Sequence, residues 1–229
     1  MAVTRRAVPD ARRTPGYRAF RGLLHAIWAA YLRPEVTGTE HVPVSGAFII
    51  APVHRSNLDF ALAIYVTDRK TFFMAKDTLW KSEPFGRFIS TMGAFPVRRG
   101  SADRAALGDA EAVLRAGEPL VLFPEGTRQE GPAVGSLLEG ASFLAARTGA
   151  PIIPVGIGGT DRAMPKGAKL PRPAKVRLVI GAPIEAPKGD GVTRVPRSQV
   201  AATTAELREA LQGVYDQACG RLSAPAATS

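Results

Sequence analysis

His54 and Asp59 stand five residues apart in Val53-His54-Arg55-Ser56-Asn57-Leu58-Asp59, directly after the apolar run Ala47 to Val53. An imidazole is the side chain best suited to take a proton near neutral pH, and a nearby carboxylate can hold its tautomer and stabilise its positive charge. The apolar run predicts a buried strand. Ser56 and Asn57 can each accept a hydrogen bond from an exposed backbone N–H, so a helix is predicted to begin there and to carry Leu58 to Thr67. Asp59 then falls in the first turn, where its carboxylate can fold back toward the imidazole. The spacing alone recurs by chance in unrelated chains, so its meaning depends on what else reaches the same place.

Three further polar clusters follow apolar segments. Lys76 closes the run Thr71 to Ala75, and Arg98 and Arg99 close Gly93 to Val97. Arginine presents a planar fork of donors that matches phosphate oxygens, which makes this pair a candidate anion clamp. The run Pro119 to Phe123 leads straight into Pro124-Glu125-Gly126-Thr127-Arg128. Here Gly126 permits close backbone approach to a ligand, Thr127 adds a hydroxyl, and Glu125 and Arg128 place opposite charges at one strand end. Each cluster taken singly has an ordinary alternative as a solvated loop.

The elements that must position these groups alternate between short apolar runs and helical patterns. Strands are predicted at Ala47 to Val53, Thr71 to Ala75, Pro119 to Phe123, Pro151 to Ile157 and Val176 to Gly181. Helices are predicted at Pro84 to Ser90, Ala102 to Ala116, Glu139 to Thr148 and Ser198 to Leu222. Val36 to Val44 reads as a turn-rich connection, and Gly158-Gly159-Thr160 as a turn near a pocket. That glycine cluster lacks the order of a dinucleotide fingerprint. The pattern predicts a single α/β domain with a mostly parallel central sheet flanked by helices, whose strand C-terminal ends hold the ligands. His54, Lys76, Arg98 with Arg99, and Glu125 to Arg128 would then gather along one edge.

The flanks divide the chain further into a basic mobile arm over 1–14, an amphipathic helix within 15–34, the main domain over 35–222 and a disordered tail over 223–229. In the amphipathic segment Phe20, Leu24, Ile27 and Tyr31 recur at helical spacing, beside several arginines and the single acid Asp10. That composition suits a helix lying in a membrane interface and equally a helix packed on the domain's own core. The formal charge of +10 favours an anionic partner. No signature of nucleic-acid recognition accompanies it, so no nucleic acid is expected. Cys219 is the only cysteine, and His25, His41 and His54 form no zinc-ligand spacing, so neither a disulfide framework nor a metal is expected. No apolar run approaches the roughly 20 residues of a membrane-spanning helix.

Taken together, His54 to Asp59, Gly93 to Arg99, Phe123 to Arg128 and Pro151 to Val155 carry a resemblance. In order and approximate spacing the chain resembles the 1-acylglycerol-3-phosphate acyltransferase family over about Val36 to Gly181. The resemblance implies transfer of a fatty acyl group from acyl-CoA or acyl-carrier protein, as co-substrate and without a cofactor, to the free hydroxyl of lysophosphatidic acid. His54 would match the general base and Asp59 its orienting acid. Lys76 and Arg99 would match phosphate-binding positions, with Arg98 beside Arg99 in the candidate clamp, and Glu125, Gly126 and Arg128 would match the motif that shapes the acceptor site, to which Thr127 adds its hydroxyl.

It further implies a peripheral or monotopic protein at an anionic membrane, on the cytoplasmic face, and so weights the amphipathic helix toward the interface. Two departures stand out. Leu137-Leu138-Glu139-Gly140 replaces a segment in which relatives commonly carry an aromatic and a basic residue before the glycine, and Pro96 stands where many have phenylalanine. The first puts the acceptor's identity in doubt. A different lysolipid acceptor such as a lyso-ornithine lipid, a thioesterase using water, and a non-catalytic basic binding module are the competing expectations.

Overall fold

The computed structural model describes residues 15–97, 104–187 and 195–220. Seven strands form one sheet: β1 (Glu35–Thr37), β2 (Ile49–Pro52), β3 (Phe72–Lys76), β4 (Ala94–Val97), β5 (Leu120–Val121), β6 (Ile152–Gly158) and β7 (Arg177–Ile180). Their order across the sheet is β1-β7-β6-β2-β5-β3-β4. The five strands from β6 to β4 run parallel, while β7 is antiparallel to β6 and carries β1 parallel to itself at the edge.

The central strands are apolar throughout because both faces are covered. Ile49, Ile50, Ile152, Ile153 and Leu120 are all fully excluded from solvent. Strand β5 is shorter than its apolar run, yet the ladder continues past it through Leu122 N–H donating to the Ile50 carbonyl at 2.9 Å. The sequence-based strands are otherwise recovered to within a residue or two.

The helices are α1 (Pro15–Leu32), α2 (Asp59–Leu62), α3 (Glu83–Thr91), α4 (Arg104–Arg115), α5 (Gly140–Thr148), α6 (Thr160–Ala163) and α7 (Arg197–Ala218). Helix α5 touches both α4 and α7, and α7 lies along β6 and β7. Gly156 and Gly158 allow that close approach. A Cβ at Gly156 would collide with the Val214 backbone carbonyl, and one at Gly158 with that of Ala218. Gly156 and Gly158 therefore serve helix-on-sheet packing, both lying within β6, while Gly159, at φ +93, makes the turn that follows.

Three expectations are corrected. The helix predicted over Leu58 to Thr67 is only α2 followed by the tighter turn Ala63–Tyr65. The connection at Val36 contains an edge strand, β1, too short and too half-exposed to show an apolar run. Thr160 begins the single-turn helix α6.

Helix α1 divides its apolar stripe between two surroundings. Leu32 is fully buried and Trp28 and Tyr31 pack on the core, whereas Leu23 and Ile27 are exposed. Arg21 ties the helix down by donating to the carbonyls of Ile64 (2.8 Å) and Thr67 (3.2 Å), and Tyr31 donates to the Pro171 carbonyl at 3.0 Å. Among the described residues, no helix is long and apolar enough to cross a membrane.

Candidate active site

β2 ends at Pro52 and delivers His54 to the C-terminal edge of the parallel sheet, between β5 and β6. The imidazole is nearly buried, 8% exposed, and its ring lies 4.3 Å between centroids from Phe123, the residue that closes the β5 run. His54 Nδ1 is 3.1 Å from Asp59 Oδ2. An ionised carboxylate can only accept, so Nδ1 carries the proton in this contact and Nε2 keeps its lone pair. The ring nitrogen left able to accept a proton is therefore Nε2.

Asp59 is completely buried, and the same Oδ2 also accepts from the backbone N–H groups of Arg55 (2.6 Å) and Ser56 (2.7 Å). Three donors on one oxygen hold the turn between the two residues rigid. Short as it is, α2 starts with Asp59, so the expected first-turn placement holds while the capping differs. Ser56 is a bridge rather than a simple cap: its hydroxyl donates to the Met164 carbonyl at 2.9 Å and accepts from Leu58 N–H at 3.3 Å. Asp59 and its turn are thus fixed both locally and by the chain after α6.

Glu125 occupies a different place from the one its exposed-looking loop suggests. Its side chain is fully buried and its carboxylate is occupied from within the protein. It accepts from His54 backbone N–H at 2.8 Å, from Arg55 Nη1 at 2.9 and 2.8 Å through its two oxygens, and from Gly135 N–H at 3.1 Å. Arg55, 5% exposed, also donates to the Ala133 carbonyl at 3.0 Å and stacks 4.6 Å from the Tyr215 ring centroid. Burial opposes the Arg55 charge, yet the hydrogen bonds and charge of Glu125 outweigh it and hold the guanidinium above its ordinary value. The two motifs that flank β2 and β5 are therefore joined by a buried ion pair.

Gly126 has φ +68, a left-handed conformation that glycine adopts without strain. It turns the chain so that Thr127 is exposed and Arg128 half-exposed beside the His54 loop. Gln129 N–H then donates to the His54 carbonyl at 2.9 Å. His54 is held at its N–H, its carbonyl and its ring nitrogen by three different residues. Leu138, 62% exposed, folds back against Gly126, with its N–H on the Pro124 carbonyl at 2.8 Å. An apolar side chain thus stands beside the candidate acceptor region.

Lys76 ends β3 at the same sheet edge, in register with Val97, and is exposed. Arg98 and Arg99 lie outside the described residues, directly after β4. Structure thus brings together His54, Asp59 and Glu125 to Arg128, with Lys76 further along the edge. Two groups were missed in the sequence, Arg55 and Phe123. Arg55 sits between the histidine and the aspartate among polar neighbours, so nothing in its local sequence marks it for burial. Two surface cavities, about 870 Å³ at Phe143 and Arg197 and about 380 Å³ at Glu35 and Arg162, contain none of these groups.

A mostly parallel sheet that carries an imidazole–carboxylate pair at one strand edge, tied to a Glu-Gly-Thr-Arg turn, defines an acyltransferase-type α/β domain. The chain belongs to the Acyltransferase family, whose model matches residues 33–158, more than half of its length. It is similar to a chloroplast 1-acyl-sn-glycerol-3-phosphate acyltransferase of Arabidopsis thaliana, 28% identical over 197 residues, which cover 82% of this chain and 55% of that protein. A 1-acyl-sn-glycerol-3-phosphate acyltransferase of Bacillus subtilis is 27% identical over 78% of this chain and 86% of its own length. Among solved structures, the 1-acyl-sn-glycerophosphate acyltransferase PlsC of Thermotoga maritima superposes with a TM-score of 0.64 at 26% identity, covering 84% of this chain and 78% of that one. The chain spans about half the length of the plant relative.

Proposed function

We propose that this protein transfers a fatty acyl group from a thioester, acyl-CoA or acyl-carrier protein, to the free hydroxyl of lysophosphatidic acid, giving phosphatidic acid without a cofactor. The observation that carries this is the His54–Asp59 contact, which leaves Nε2 as a positioned base. The activities for which the relatives are named support the substrate class. In the reaction, the acceptor oxygen attacks the thioester carbonyl carbon as its proton passes to Nε2. The tetrahedral intermediate then expels the thiolate, which takes that proton from His54. Asp59 stabilises the transient imidazolium. No covalent acyl-enzyme is required, and the rest of the acceleration comes from holding both substrates in line.

Lys76, Arg98, Arg99 and Arg128 supply the cations for the acceptor's phosphate, and Gly126 and Thr127 shape the turn that meets it. Glu125 acts differently, through the His54 backbone and Arg55. A second reading changes only the acceptor. The exposed Leu138 beside Gly126 favours a lysolipid with a smaller or less charged head than phosphate. Purified protein given an acyl thioester and a mixed lysolipid pool should release thiol and yield phosphatidic acid by mass spectrometry. Acylation of only an uncharged or zwitterionic lysolipid would replace the first reading with the second, and thiol release with free fatty acid alone would make the protein a thioesterase.

We further propose that the protein works at an anionic membrane surface, on the cytoplasmic face, as a peripheral protein. Leu79, Phe85 and Phe88 are 41%, 47% and 43% exposed around α3, with Lys81 and Arg87 exposed among them. Apolar side chains with cations among them, one of which, Arg87, pairs with Glu83 at 2.9 Å, suit a lipid interface. Replacing Phe85 and Phe88 together with serine should weaken flotation with phosphatidylglycerol vesicles by about 10- to 30-fold, as two half-exposed aromatic rings lose their lipid contact. Unchanged flotation of that variant would place the contact elsewhere.

A further inference from the structure

The segment from Gln129 to Leu138 has no regular secondary structure, yet it touches the catalytic histidine. Its two ends bond to the His54 and Pro124 carbonyls, and its middle is held by side chains. Glu125 takes the Gly135 N–H, Arg55 takes the Ala133 carbonyl, and α7 reaches Gly131 through Tyr215 and the peptides beside it through Gln212. Gln212 Oε1 accepts from Val134 N–H at 2.7 Å, and its Nε2 donates to the Pro132 carbonyl at 3.1 Å. Nε2 also donates to Asp216 Oδ1 at 3.0 Å, one turn along the helix, which sets the amide's orientation. Val134 itself is buried at 1% exposure, so an unpaired N–H there is costly. One turn of α7 also carries Tyr215, whose ring backs the Arg55 guanidinium.

We propose that Gln212 is a positioning residue for the His54 base: by clamping the peptide groups of Pro132 and Val134 it holds the loop whose neighbours, Gln129, Glu125 and Arg55, fix the His54 backbone. The inference rests on the reading of His54 as the general base. Helix α7 lies wholly outside residues 33–158, so the matched family region does not contain this clamp. The helix patterning of the sequence marked it only as a packing element. Its reach to the loop depends on Gly156 and Gly158, which let α7 settle onto β6.

The test uses the full chain with Gln212→Met, which keeps the volume and removes both hydrogen bonds to the loop, and with Gln212→Glu made together with Asp216→Asn, which keeps the acceptor for Val134 N–H without setting two carboxylates against each other. For Gln212→Met, kcat for acyl transfer should fall about 10- to 100-fold, as expected for a misplaced base, with KM for thioester and lysolipid changed less than about threefold. Gln212→Glu with Asp216→Asn should recover part of the loss. In a His54→Ala background the same Met substitution should change the residual rate less than about twofold, because the clamp acts through His54. Equal fold-losses in both backgrounds would mean a general structural effect and would overturn the proposal.

Hydrogen exchange gives a readout independent of turnover. Peptides spanning Gln129–Gly135 and His54 should exchange faster in Gln212→Met and near the wild-type rate in Gln212→Glu with Asp216→Asn, while those from β6 stay unchanged. Unchanged exchange at both segments also overturns it. Wild-type protein inactive on every lysolipid would instead sink the acyltransfer reading and leave the exchange result to decide the clamp.

Discussion

If His54 is the base of the proposed acyl transfer, His54→Ala is expected to lower that activity by about 10²–10⁴-fold, the span that general-base assistance supplies, while the protein remains folded. The residual rate reports substrate positioning alone. Stability is expected to fall modestly, since the ring's packing on Phe123 and its hydrogen bond to Asp59 are lost while its backbone contacts persist in alanine. Asp59→Asn behaves differently. An amide with its oxygen toward the Arg55 and Ser56 N–H groups still accepts from Nδ1 but no longer supplies the negative charge that would stabilise an imidazolium. It replaces an anion that accepts from those N–H groups in a fully buried site. Asp59→Asn should therefore lower the rate less than His54→Ala does and add a drop in thermal midpoint. Thiol release measured beside a melting curve separates the two effects. Activity within threefold of wild type in His54→Ala would refute the assignment of the base.

The largest effect on stability is expected at the ion pair joining Arg55 and Glu125. Their side chains are 2% and 0% exposed, so neither charge reaches water when its partner is lost. Breaking a buried pair from one side costs about 3–5 kcal/mol, against a total stability of about 5–15 kcal/mol for an ordinary domain. Glu125→Ala should be the worse of the two. A guanidinium cannot discharge itself by losing a proton, whereas the carboxylate left by Arg55→Met can bind one and still accept from His54 and Gly135 N–H groups.

Replacing both residues, as Arg55→Met with Glu125→Leu, should recover much of the stability because no buried charge remains. It should not recover the rate, since the His54 N–H and the Gly135 N–H still lack their acceptor. Urea midpoints for the three variants, read alongside turnover, check this order. A double variant less stable than both single ones would show that the pair contributes net stability rather than orientation.

Much of this architecture was legible beforehand. The apolar runs at Ile49, Leu120 and Ile152 are continuous because parallel strands are covered on both faces, and continuous runs are what sequence patterning detects best. Strand β1 escaped because an edge strand of three residues, Glu35-Val36-Thr37, buries too little to leave an apolar signature. Helix α2 was overestimated because Leu58 to Thr67 is apolar enough for a longer helix. Its residues pass instead into the tight turn Ala63–Tyr65, whose end carbonyls meet Arg21 from α1, a contact 43 residues away.

The site shows the same division. Residue types and their order alone marked His54, Asp59 and the Glu-Gly-Thr-Arg turn, and the recurrence of polar groups after apolar strands was enough to place them at one edge. That follows from local chemistry and from the rule that parallel sheets bind at their strand C-terminal ends. Which of those charges face solvent and which are consumed internally was decided only by the tertiary structure. Glu125 turns inward to Arg55 and the His54 backbone, Lys76 remains exposed, and Gln212 arrives from a helix 158 residues further along the chain. Hydrogen-bond partners so distant in sequence leave no spacing to read, because burial and partner choice depend on how whole layers pack rather than on neighbours along the chain.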